Sequence, residues 1–124
     1  MAVVELNKDN FEQTINENDF VIVDFWAPWC APCRSFAPVF EKVSEEHDNV
    51  VFAKVNTEDE QEIAAHFQIR SIPTLMIFRE KIIIFSQPGA LPEGSFKQLV
   101  ERAGELDMNE VRKQIEQEQQ KSAN

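Results

Sequence analysis

Cys30 and Cys33 are the chain's only thiols, and just two residues separate them in Trp29-Cys30-Ala31-Pro32-Cys33. They follow directly on the apolar run Phe20-Val21-Ile22-Val23-Asp24-Phe25-Trp26. This spacing suits reversible oxidation. If the run is a strand and the next segment a helix, Cys30 falls at the helix N-terminus, where unpaired N–H groups and the macrodipole favour a thiolate. Cys33 then lies one turn on, within bridging distance. A disulfide closing so short a loop constrains the unfolded chain by only about 2 kcal/mol before strain, so it is a poor staple and an apt switch. Two other uses compete. Structural zinc wants four ligands, and only His47 and His66 remain, at a separation unlike a finger's, so no metal is expected. Reduced cysteines could simply fill core space, but Pro28 and Pro32 mark a shaped, exposed helix start.

The elements that must hold this pair follow from periodicity. Val3 to Leu6 is a short strand candidate, and Asn7 or Asp9 can cap a helix from about 10 to 16, with Phe11 and Ile15 on one face. Phe20 to Ala27, apolar except for Asp24, suits a central strand covered on both faces. From Ala31 to His47, Phe36, Phe40 and Val43 form a helical stripe that Pro38 should bend. Val50 to Val55 is the next strand, and Thr57-Glu58-Asp59-Glu60 reads as a capping box opening a helix to about Phe67. Thr74 to Arg79 and Ile82 to Ser86, separated by Glu80-Lys81, suggest an antiparallel hairpin whose turn lacks Gly or Asn. Pro88-Gly89 marks a loop; Pro92 opens a last helix with Phe96, Leu99, Val100 and Ala103 inward, and Gly104 is a natural stop. The predicted class is α/β: a mixed sheet of about five strands flanked by about four helices, in the order βαβαβαββα. Residues 1–104 form the domain. Residues 105–124 are a polar extension, either a solvated, partly helical tail started by Asp107 and Glu110 or a partner-binding helix striped by Met108, Val111 and Ile115.

Composition agrees with one packed domain. At 124 residues, 43% hydrophobic, with ten phenylalanines and three glycines, the chain can bury a core without disulfides. Asp and Glu outnumber Lys and Arg by 22 to 12, a formal charge of −10 that disfavours binding to nucleic acid or anionic lipid. No signal-peptide pattern opens the chain and no apolar stretch reaches membrane length, so a cytoplasmic protein is expected. Thiols there are kept reduced, which favours catalytic over structural cysteines.

Asp24 is the one acid in an apolar strand, six residues before Cys30. Desolvation should raise its pKa and make it a proton acceptor for Cys33; taken alone, such a residue reads more often as a capped or partly exposed strand position. Lys54, on a candidate neighbouring strand, is either its charge partner or a snorkelling surface lysine. Trp29 is either part of a surface patch at Cys30 or core.

Several separated pieces together resemble the thioredoxin family: Val23 to Cys33, Pro38, Ala53-Lys54-Val55-Asn56, Ile69-Arg70-Ser71-Ile72-Pro73-Thr74 and Gly89-Ala90-Leu91, spanning about residues 2 to 103. The resemblance implies the thioredoxin fold and a protein disulfide reductase in which Cys30 attacks and Cys33 resolves a mixed disulfide, with Cys30 exposed and Cys33 deeper. It also implies Asp24 as proton acceptor with Lys54 beside it, and a cis Pro73 facing the cysteines. The backbone of Ile72 would pair with an extended substrate, with Trp29, Ala31, Pro32, Ile72, Pro73, Gly89 and Ala90 forming the substrate surface. No bound cofactor is implied; electrons would come from NADPH through a flavin-dependent (FAD) thioredoxin reductase, and the other partners would be disulfide-containing proteins. A monomer is expected. Ala31 stands where the family commonly has Gly, Arg34 where Lys is frequent, and the extension lies outside the minimal domain. A binding module using the acidic surface or extension, and a thiol oxidase or isomerase, are the alternatives.

Overall fold

A computed structural model describes residues 2–123. Its elements are β1 (Val3–Glu5), α1 (Phe11–Glu17), β2 (Phe20–Trp26), α2 (Ala31–Glu45), β3 (Val51–Asn56), α3 (Gln61–His66), β4 (Thr74–Arg79), β5 (Ile82–Pro88), α4 (Glu93–Glu105) and α5 (Met108–Ala123). The sheet order is β1-β3-β2-β4-β5, with β2 parallel to β3 and antiparallel to β4. The apolar run is therefore the central strand.

Alternation along β2 divides the core. Phe20 and Ile22 join Phe36, Phe40 and Val43 of α2 and Phe96, Val100 and Ala103 of α4, whereas Val21, Val23 and Phe25 join Ile15 of α1 and Ile63 of α3. Period two then puts Asp24 and Trp26 on the α2 face. Register lines Glu5, Lys54, Asp24, Leu75 and Gln87 up as one row across all five strands. Phe36 and Phe40 of α2 pack with Phe52 of β3 and Phe96 of α4 in tilted, edge-on and stacked pairs that set the position of α2 over the sheet. Opposite Ile77 and Phe78, β5 carries a bulge at Ile84, and both Ile84 and Phe85 pack against the α2-side core. A bulge twists and blunts this edge strand.

Two local expectations are corrected. Thr57 does not cap a helix: its N–H and hydroxyl both donate to the Trp26 carbonyl, at 2.8 and 3.0 Å, and α3 begins only at Gln61. Gly104 does not stop α4, which runs on to Glu105; a Cβ there would lie 3.3 Å from Phe20 Cε2, so the glycine permits close approach to β2. The extension, expected to be partly helical, carries a 16-residue helix, Met108–Ala123, which is the fifth helix of the fold. Asp107 Oδ1 accepts the N–H groups of Asn109 and Glu110, closing the helix start, and Met108 is buried. The Glu80-Lys81 turn is left-handed at both residues, φ 50° and 71°, the conformation that the twist of a two-residue hairpin demands.

Candidate active site

Cys30 is the N-cap of α2, with extended backbone at φ −88° and ψ 113°. Its Sγ accepts the N–H of Cys33 at 3.2 Å, the bond a serine or aspartate would make at a helix start. Pro32 has no N–H, so within this turn the bond to sulfur comes from the second cysteine's own amide. A thiolate at this position would receive a charge-assisted hydrogen bond and the positive end of the helix. The two cysteines are joined as a disulfide, with Cα atoms 5.2 Å apart.

Cys30 is not the exposed sulfur the sequence suggested: it is 4% exposed, against 2% for Cys33. Trp26 and Ile72 pack against the cluster of Ala27, Cys30 and Cys33, and the Ile72 carbonyl oxygen lies 3.7 Å from Cys30 Sγ. The Ile72-Pro73 peptide is cis. This turn is held on both sides: the Thr74 hydroxyl donates to the Ser71 carbonyl, and the Gly89 N–H donates to the Pro73 carbonyl at 2.8 Å. Gly89 has φ +109°, open to glycine and strained for other residues, which lets the strand turn back onto Pro73. Ala90 follows it, exposed. Ala31 and Pro32 are exposed in the first turn of α2.

Trp29 is 65% exposed, which excludes the core reading. Its Nε1 donates to Glu58 Oε1 at 2.5 Å. Glu58 has no local signal in the sequence, because the contact joins positions 29 residues apart. Arg34 donates to the Pro28 carbonyl at 2.9 Å and so braces the loop before the cysteines.

Asp24 is 1% exposed, and its Oδ1 has no hydrogen-bond partner among the described residues. Burial pushes its carboxyl from 3.8 up to about 7, against the opposing pull of the Lys54 charge. Lys54 lies opposite Asp24 in the β2–β3 register, but its ammonium sits over the Trp26 ring, 4.3 Å from the centroid. Trp26 was not singled out in the sequence, although the i, i+2 alternation from Asp24 marks it as sharing that face. Among the described residues no cluster of His, Cys, Asp or Glu is arranged to hold a metal ion.

The Thioredoxin family model matches residues 2–102. "Putative thioredoxin 2" of Streptomyces coelicolor is 52% identical over 118 residues, covering 95% of this chain and 88% of that protein. Thioredoxin of Porphyra purpurea is 42% identical over 99 residues, 78% of this chain and 92% of that one. Among solved structures, a point-mutant thioredoxin from Halobacterium salinarum superposes with a TM-score of 0.78 at 28% identity, covering 85% of this chain and 93% of its own.

Proposed function

This chain belongs to the thioredoxin family and is a protein disulfide reductase with a redox-active cysteine pair; we propose that Cys30 is its nucleophile, Cys33 its resolving thiol and Asp24 the proton acceptor. The observation that supports this direction is the bond from the Cys33 N–H to Cys30 Sγ, which stabilises negative charge on one sulfur of the pair.

In the dithiol form, Cys30 thiolate attacks one sulfur of a substrate disulfide. A Cys30–substrate bond forms, the substrate's S–S bond breaks, and its other sulfur leaves as a thiolate that takes a proton from solvent. Cys33 then gives its proton to the Asp24 carboxylate and attacks Cys30 Sγ. The intramolecular disulfide forms, the second substrate sulfur leaves with the bonding pair, and two electrons have passed to the substrate. A thiol whose pKa lies near ambient pH combines a usable thiolate fraction with good nucleophilicity. Lys54 moderates the charge on Asp24.

The substrate segment lies extended along Ile72 and cis-Pro73, pairing with the backbone as with a strand edge, over a surface of Trp29, Ala31, Pro32, Gly89 and Ala90. Trp29, fixed by Glu58, presents its indole to that segment. Thioredoxins carry no cofactor of their own; electrons return from NADPH through the flavin of a thioredoxin reductase. The protein acts as a cytoplasmic monomer. Among the described residues no helix is long and apolar enough to cross a membrane.

The test is NADPH-coupled reduction of a protein disulfide with thioredoxin reductase. Cys30→Ser should abolish turnover, and Cys33→Ser should accumulate the Cys30 mixed disulfide. Trapping through Cys33 with turnover intact in Cys30→Ser would reverse the assignment.

A further inference from the structure

Trp26 touches two parts of the machinery. Its ring carries the Lys54 ammonium, 4.3 Å from the centroid, and its side chain packs against the cluster of Ala27, Cys30 and Cys33. Its carbonyl, bonded twice by Thr57, fixes the end of β2. Asp24 lies two residues back on the same face, directly opposite Lys54 in register. Lys54 nevertheless takes no part in the ion pairs found among the described residues, and Asp24 Oδ1 is unpaired.

We propose that Trp26 is a positioning residue of the thiol exchange: its indole face holds the Lys54 ammonium beside Asp24 but off the carboxylate, leaving that carboxylate free to take the Cys33 proton. The proposal rests on the reading of Asp24 as proton acceptor. A cation over an aromatic face is attracted by the ring quadrupole, whereas a cation closed onto a buried carboxylate stabilises its ionised form and weakens it as a base.

The charges around this group are few. From β3 comes Lys54 itself; Leu75 of β4, opposite Asp24, carries none. The inward residues of α2 are Cys33, Phe36, Phe40, Val43 and Ser44, whose only titratable group is the thiol. On its far side Lys54 shares a polar cavity of about 170 Å³ with Glu5 of β1 and with Asp59 and Glu60 before α3. Glu5 and Asp59 are exposed and screened by water, and the half-buried Glu60 already accepts the Lys8 N–H at 3.1 Å. Without the indole, the strongest pull on the ammonium is therefore that of buried Asp24, and the predicted movement is onto its carboxylate.

The experiment is an NMR titration of the Asp24 carboxyl carbon in the full oxidised chain, for Trp26→Leu and Trp26→Phe, each with Lys54 intact and with Lys54→Met. With Lys54 present, Trp26→Leu should lower the Asp24 midpoint by about one pH unit, the low end of what a close opposite charge produces. Trp26→Phe, which keeps a weaker face, should fall between. In the Lys54→Met background either change should leave the midpoint where that background sets it, since the effect travels through the ammonium. The same drop in both backgrounds would show that the indole acts only by excluding water, and no drop with Lys54 intact would show that it holds nothing; either overturns the proposal. If Trp26→Leu does not fold, the Phe pair decides alone. Failure of the Asp24 reading is seen separately, as a resolving step that Asp24→Asn does not slow.

Discussion

Asp24 concentrates the chemistry and its energetic penalty in one side chain. Its carboxyl titrates near 7 in the fold, against 3.8 ordinarily, because burial disfavours the charged form. Between these values the folded chain holds a proton the unfolded chain has released, so stability falls as pH rises through the window and is level outside it. Asp24→Asn removes the penalty. Urea unfolding of the oxidised protein should show little difference at pH 4 and a more stable variant at pH 8, by up to about 4 kcal/mol at 1.36 kcal/mol per pH unit; a difference independent of pH would contradict a buried ionisation. The same variant should slow resolution of the mixed disulfide more than its formation. Asp24 was legible because it is the one acid in an apolar run. Glu58 was not, since its bond to Trp29 exists only once the chain has folded, and the burial of Cys30 depends on a loop 42 positions away.

Elements follow the sequence where one periodicity governs them and depart from it where two contacts compete. The α2 stripe of Phe36, Phe40 and Val43 is buried as the spacing demands. Thr57 has a capping sequence around it, yet its hydroxyl joins its own N–H on the Trp26 carbonyl at the end of β2 and so does not cap α3. Gly104 resembles a helix stop, but packing on Phe20 uses it within the helix. At the β4–β5 turn, strand twist imposes left-handed backbone on Glu80 and Lys81, which neither residue favours. Lys81→Gly should therefore raise stability by about 0.5–1 kcal/mol in denaturant unfolding without changing reductase turnover. Lowered stability would mean that Lys81 makes a contact worth more than the relief.

At the scale of the whole molecule, α5 is an addition to the family domain. The family model ends at residue 102, whereas the Streptomyces match takes in 118 of the 124 residues and so necessarily reaches well into α5. Met108 is buried at its start, and Arg112 bridges Glu80 Oε1 at 2.5 Å and Asn109 Oδ1 at 2.6 Å, so α5 is tied to the strained hairpin turn. That tie was not legible, because a polar, Gln- and Glu-rich helix shows no stripe strong enough to name its contact. Removing residues 106–124 should lower stability by about 2 kcal/mol, most of it from Met108 rather than the exposed ion pair, with thiol exchange retained; lost exchange would place α5 in the active machinery. The direction of electron flow belongs to this scale as well, since it compares the pair with its surroundings. The decisive measurement is the reduction potential of Cys30–Cys33, titrated at equilibrium against dithiothreitol. A reductase requires a value below about −250 mV, near the roughly −270 mV of thioredoxin, and a value near about −120 mV, that of a strong thiol oxidant, would contradict the account.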